Sequence, residues 1–263
     1  MSMVEAASSR SGTKAAREPD RQRGIDRVIA VLEALQRHHA PMRAGEIARS
    51  IGAPRSTCYE IVNRLLEAEI LEPAGAEGQV YFGRASYLFG RAYAENNALH
   101  RRVGGVLESL AAQTGAMAQF CALRGNKYLV LESRSGSGLF RITVDVGVEV
   151  PLPWTASGRL LLSHLDAQEI RDFIPPEDFV LPTGEQLSVD QFLAEVEAAA
   201  REGYSVTRNL VDIFATCLAV PILRQDGSVA GTLCLVVPAE LVAEQRRELL
   251  DLLIPAARQL SAH

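Results

Sequence analysis

The chain has 263 residues, 48% hydrophobic and 22% charged, a globular balance that can bury a sizeable core in one large domain or two small ones. No apolar run approaches the roughly 20 residues of a membrane span. The N-terminus lacks the apolar stretch and cleavage site of a secretory signal. A net charge of −5 argues against a basic nucleic-acid binder, yet the charge is uneven. Residues 10–64 carry 11 basic and 6 acidic side chains, and residues 85–263 carry 15 and 21, so only the front of the chain is suited to phosphate.

Residues 1–23, with their Ser, Ala, Arg and Pro, read as a disordered basic arm. "IDRVIAVLEALQRHH" places Ile25, Val28, Ile29, Leu32 and Leu35 on one helical face. After the connector "APMR", "AGEIARSIG" is a short helix carrying Ile47, Ala48 and Ile51. "APRSTCYEIVNRLLEAEIL" follows, with Cys58, Ile61, Val62 and Leu65 at helical spacing. "LEPAGAEGQVYFGR" reads as two short strands around a glycine-rich loop.

Three helices and a hairpin in this order are a winged helix-turn-helix. Ala48 is the small residue that lets the two short helices approach, and Gly52 makes the turn. Pro54 is expected at the first helical position, where its missing N–H costs nothing. With the apolar residues inside, Ser56, Tyr59, Glu60 and Asn63 point outward, flanked by Arg55, Thr57 and Arg64. Short hydrogen-bonding side chains suit base edges, and arginines suit phosphates. Arg27 and Arg43, from the first helix and the connector, join this DNA-binding set. The hairpin, with Glu72 and Glu77 and no basic residue before Arg84, is an acidic wing.

Residues 85–100 read as a linker helix and the expected dimer element, with Tyr87, Leu88 and Tyr93 as contacts, and "RRVGGVLESLAAQTG" reads as a second helix. A dimer is expected because one winged helix makes too few contacts for operator-level affinity. From Ala116 onward, strands dominate. "AMAQFCALRGNKYLVLESRS" is two strands around a turn, and "FRITVDVGVEVPL" is a further extended stretch. "TASGRLLLSHL" and "VDQFLAEVEAAAREG" are helices, and "AELVAEQRRELLDLLIPAARQL" closes the chain as an amphipathic helix. "ATCLAVPILRQDGSVAGTLCLVVP" is a hairpin turned at Asp226-Gly227. A two-residue turn there sets Cys217 opposite Val236, with Cys234 a diagonal neighbour on the same face. Leu218, Val220, Ile222, Leu233 and Leu235 occupy the other face and are expected against helices. The class is α+β with mostly antiparallel strands.

"IDRVIAVLEAL", "GEIARSIGAPRSTCYEIVNRLLEAEILE" and "YFGR" resemble the DNA-binding part of the IclR family of bacterial transcriptional regulators. "VDVGVEVPLPWTASGRLLLSHL", "GYSVTRNL" and "CLAVPILRQDGSVAGTLCLVVP" resemble its effector-binding part. The resemblance covers about residues 24–260. It implies a winged helix-turn-helix over 24–84, a linker helix over 85–100, and a GAF-like α/β effector-binding domain over 101–263. It also implies dimers or dimers of dimers on palindromic double-stranded operator DNA, controlled by a small organic metabolite, often a carboxylate. Repressor is the expected mode and activator the alternative. By position, Ala156, Ser157, Thr207, Cys217, Cys234 and Val236 fall in the effector pocket. Relatives that take small polar acids carry an acidic residue where Thr207 stands, and serines where Cys234 and Val236 stand. The less polar wall here fits an organic acid with an apolar, aromatic or longer body. The alternative is that these side chains fill the core and the pocket is vestigial.

An enzyme is the rival of another class. Ser157, His164 and Asp166 lie close in sequence, but no G-x-S-x-G elbow surrounds the serine. There is no P-loop or dinucleotide fingerprint. The histidines form no metal-ligand spacing with the cysteines, and no cofactor is expected. Cys58, Cys121, Cys217 and Cys234 are scattered without a CxxC pair, as in a cytoplasmic protein with reduced thiols. A ligand-sensing module whose winged helix binds a protein partner is the remaining non-DNA reading.

Overall fold

The computed structural model describes residues 18–138 and 146–261, with side chains from Arg23 onward. Two compact units divide between Tyr93 and Ala94.

The first unit runs α1 (Glu18–His38), β1 (Met42–Arg43), α2 (Ala44–Ser50), α3 (Arg55–Glu67), β2 (Leu71–Pro73) and β3 (Gln79–Phe82). Val31, Leu35, Ile47, Cys58, Val62, Leu71 and Val80 form its core. Residues 1–17 of the arm lie outside the described residues, whereas 18–23, expected as arm, are helical. The buried face of α1 also differs from the sequence reading. Val31, Ala34 and Leu35 are buried and Val28 and Leu32 partly so, but Ile25 and Ile29 are 57% and 50% exposed. The apolar stripe is wider than the face that this small core can cover. The connector holds a strand as well. Met42 pairs with Val80 and Arg43 with Gln79, making a three-stranded antiparallel sheet in the order β1-β3-β2. Two residues are too few for a strand to show by alternation.

Helix α4 (Arg84–Asn96) spans the division and buries none of its residues. The expected linker helix over 85–100 is broken at Asn97, whose side chain accepts from the His100 N–H at 3.0 Å and caps α5 (Ala98–Thr114). An Asn cap satisfies an N–H that a continuous helix would have paired internally.

The second unit adds β4 (Met117–Arg124), β5 (Lys127–Arg134), β6 (Glu149–Pro151), α6 (Ala156–Leu161), α7 (Ala167–Phe173), α8 (Val189–Glu202), β7 (Ser205–Arg208), β8 (Ala215–Leu223), β9 (Val229–Pro238) and α9 (Ala243–Leu260). Its six strands are antiparallel throughout, in the order β6-β5-β4-β9-β8-β7. Of the extended stretch expected over 140–152, residues 140–145 lie outside the described residues and β6 is the strand. One sheet face, with Leu218, Val220, Ile222, Leu233 and Leu235, packs on α5 and α9. The other is covered by α6 and α8. Alternation along β8 and β9 produces this division: each strand is buried on both sides, one side against helices and the other around a cavity.

The hairpin between β8 and β9 corrects one expectation and keeps its consequence. Arg224 N–H donates to Ser228 O at 2.8 Å, closing a three-residue loop instead of two, with Gly227 at φ 80°. A register shift next to Ile222 then inserts one residue into β9, so Ile222 meets Gly231 and Cys217 meets Val236. Turn and bulge compensate, and the register read from the sequence holds.

Candidate nucleic-acid interface and ligand cavity

Helix α2 ends at a tight turn. Gly52 adopts φ 65°, which only glycine enters without strain, and Ala53 N–H donates to Ala48 O at 3.0 Å. Pro54 stands one position earlier than expected, as the residue preceding α3. Its extended ψ of 136° keeps it outside the helix while its carbonyl accepts the first helical bond, from Cys58 N–H. Cys58 anchors α3 from beneath. Its thiol donates to Ala44 O at 3.2 Å, and burial pushes its pKa up. Cys58, Val62 and Leu65 are buried, and Ile61 is half-buried.

This packing turns the opposite side of α3 outward. Arg55, Ser56, Tyr59, Glu60, Asn63 and Arg64 are exposed and Thr57 is half-buried. Arg64 lies 3.0 Å from Glu67, so a phosphate contact by Arg64 competes with that ion pair. Arg43 is exposed beside Glu46, whose carboxylate accepts from the Arg43 N–H at 2.7 Å, and Arg27 is half-buried on α1. In the wing, Arg84 is paired with Glu69, which holds that carboxyl below its usual range. The hairpin strands β2 and β3 offer no basic side chain, so the phosphate-binding capacity of this unit lies on its helices and on Arg43 of β1.

In the second unit, all six residues assigned to the pocket line one cavity of about 90 Å³: Ala156, Ser157, Thr207, Cys217, Cys234 and Val236. Alternation on β7, β8 and β9 brings four of them to one face, and the start of α6 supplies the other two. Sequence reasoning missed Gln119 and Tyr128, which arrive from β4 and β5, and the mouth residues Leu210, Val211 and Asp212. Gln119 pairs with Cys234 across β4 and β9, a pairing between strands more than a hundred residues apart. Trp154, at the rim, donates its indole N–H to Asp178 O at 2.7 Å.

The wall is mostly apolar, and several of its polar groups are engaged by residues behind it. Thr232 donates its hydroxyl to Ser157 Oγ at 2.8 Å, and Tyr128 OH lies 2.8 Å from Cys121 Sγ. Cys217 and Cys234 are neighbours on adjacent strands, and their interaction lowers the pKa of Cys217 and raises that of Cys234; the Thr207 hydroxyl lowers Cys217 further, while burial and Asp212 oppose. Among the described residues, Asp212 is the only charged side chain in the lining. Arg159, buried behind the wall, donates to Thr155 O at 2.8 Å and to Glu195 Oε2 at 2.8 Å, and its guanidinium lies over the Phe192 ring. It fixes the segment before α6 against α8. Among the described residues, no group of His, Cys, Asp and Glu is placed to hold a metal, and no helix is long and apolar enough to cross a membrane.

Comparison with known proteins agrees with both units. The HTH-type transcriptional repressor AllR of Salmonella typhi is 24% identical over 249 residues, covering 90% of this chain and 89% of the relative. An IclR transcriptional regulator from Alicyclobacillus acidocaldarius shares the fold with a TM-score of 0.80 at 21% identity, over 91% of this chain and 97% of the other. An IclR homologue from Microbacterium hydrocarbonoxydans, solved in complex with 4-hydroxybenzoate, shares it at 0.78 and 24% identity, over 90% and 97%. The IclR helix-turn-helix domain matches residues 24–75, and the bacterial transcriptional regulator IclR C-terminal domain matches residues 91–262. With its winged helix-turn-helix and its six-stranded ligand-cavity unit, the chain belongs to the IclR family of DNA-binding transcriptional regulators and is not an enzyme.

Proposed function

We propose that this regulator is a repressor that binds a palindromic operator as a dimer or dimer of dimers and is controlled by a compact organic effector in the cavity of the second unit. The observation that carries the DNA reading is the outward face of α3, set by the Gly52 turn and the Cys58 anchor. Arg55 and Arg64 serve phosphates, and Ser56, Tyr59 and Asn63 serve base edges. The name of the AllR relatives supports repression.

The cavity narrows the expected effector. At about 90 Å³ it is smaller than the roughly 150 Å³ of a cavity that takes benzene, so an aromatic body of the kind bound by the Microbacterium relative requires the mouth to open. A carboxylate, the end group expected from the sequence, would meet Asp212 and, among the described residues of the lining, no cation. An uncharged carbonyl or hydroxyl served by Ser157, Thr207 or Gln119 fits this wall better.

Gel shift across a salt series with a selected operator tests the DNA reading. Arg55→Ala is expected to weaken binding to every sequence and to lower the salt slope by about 0.9, the value of one phosphate left without its cation. Asn63→Ala is expected to relax preference at one position of each half-site, by about 1–3 kcal/mol. Wild-type affinity and specificity in both variants would remove α3 from the interface.

A further inference from the structure

Two thiols stand side by side on the cavity wall, and repression by DNA binding uses neither. Cys217 lies opposite Val236 and Cys234 opposite Ala219, so the cysteines are diagonal neighbours on adjacent strands. Diagonal positions lie about 7–8 Å apart across antiparallel strands, beyond the Cα separation of about 4.4–6.8 Å that a disulfide spans. The strand pairing therefore keeps them as two neighbouring free thiols.

We propose that Cys217 is a modification site, at which its sulfur adds to a small uncharged electrophilic alkene, an α,β-unsaturated aldehyde or ketone, that enters the cavity. Access singles out this thiol. Cys58, Cys121 and Cys234 are buried, and Cys217 alone is partly exposed. Charge selects the ligand class: the only ion in the lining, among the described residues, is Asp212, which disfavours anions. Size selects it too, since about 90 Å³ admits a short unsaturated chain but not a bulky one.

The groups facing the sulfur divide the work. Thr207 stands directly opposite Cys217 and Cys234 diagonally beside it, and both favour the thiolate, which is the nucleophile. Asp212, Cys121 and Tyr128 are the other titratable groups around it, and of these Asp212 opposes the thiolate most. In the addition, a sulfur lone pair forms a bond to the β-carbon and the C=C π pair moves onto the carbonyl oxygen. The proton released by Cys217 then returns at the α-carbon. The net change is S–H addition across C=C, with no oxidant or further reactant. Gln119 and Ser157 line the same space and supply donors for the carbonyl oxygen as charge develops there. Cys234 acts as a positioning residue from its place diagonally beside the sulfur.

Only the regulatory consequence rests on the cavity being the effector site; the adduct does not. The test treats the full chain with methyl vinyl ketone and follows it by intact mass, peptide mapping and gel shift, with butanone as the unreactive control. The expected result is one adduct per chain, on Cys217, forming at least tenfold faster than with glutathione. Cys234→Ala is expected to slow it about tenfold, and Cys234→Ser, which restores a donor, to recover most of the rate. Modification no faster than that of glutathione, or spread over the other cysteines in the folded wild-type chain, would overturn the proposal without need of any variant. A single Cys217 adduct with operator release upholds both the site and the effector reading. The same adduct with unchanged operator binding upholds the site and overturns the effector role of the cavity.

Discussion

Cys121 shows how far a single buried side chain can tie stability to pH. Burial outweighs the hydrogen bond to Tyr128 and pushes its pKa from 9.0 up to about 12. The folded chain thus keeps a proton that the unfolded chain gives up. Its contribution to stability is complete below pH 9 and is lost as pH rises toward 12, at about 1.4 kcal/mol per pH unit. Cys121→Val is expected to flatten the alkaline fall in urea stability. The slope is the quantity to read, because the Tyr128 hydroxyl loses its partner at every pH. An unchanged slope would mean that other groups, Tyr128 first among them, carry the fall. At this scale the cavity was half legible in the sequence. Thr207, Cys217, Cys234 and Val236 lie on neighbouring strands, where alternation assigns a face. Gln119, Tyr128 and Asp212 reach the same space only through long-range pairing and a loop, and neither leaves a periodic trace.

Among the elements, those with local signals were read correctly and those set by competition for burial were not. The helix-turn-helix announces itself through Ala48, Gly52 and the anchors of α3. The face of α1 does not, because five apolar residues compete for a core that buries only part of their stripe. The boundary between the two helices was read after His100 and falls instead at Asn97, because helical composition continues through it and only the cap interrupts it. The Gly52 turn permits a direct test. A Cβ there would meet nothing within 4 Å, so the cost of a side chain is backbone strain at φ 65° and not a clash. Gly52→Ala is expected to lower thermal stability of the first unit by about 1–2 kcal/mol, and Gly52→Asn by less, since Asn enters the left-handed region more readily. Circular dichroism melts would show the difference. Equal losses for the two variants would point to a cause other than φ.

For the whole molecule, the apolar surface of the first unit bears on assembly. Tyr87, Leu88, Phe89 and Tyr93 on α4 are each more than half exposed, and Ile25 and Ile29 on α1 are at least half exposed. Three of the four on α4 were read from the sequence as dimer contacts, and Phe89 joins them on exposure alone. Contiguous apolar side chains on a helix with no buried residue mark an interaction surface, and a two-fold pair is the commonest way to cover one. The acidic wing adds a functional reason. With its only arginine committed to Glu69, each winged helix lacks the usual second grip on the backbone. On the dimer proposed above, affinity would come from two half-sites engaged together, where linkage adds to the affinity of each without new contacts. The double variant Leu88→Glu, Phe89→Glu is expected to shift sedimentation toward monomer by at least a hundredfold in dissociation constant. Operator affinity should fall with it, while the weak salt-sensitive binding of a single helix-turn-helix persists. A variant that remains dimeric at micromolar concentration would place the interface elsewhere. A monomer that still holds the full operator tightly would show that one winged helix suffices, and the argument from the acidic wing would fail.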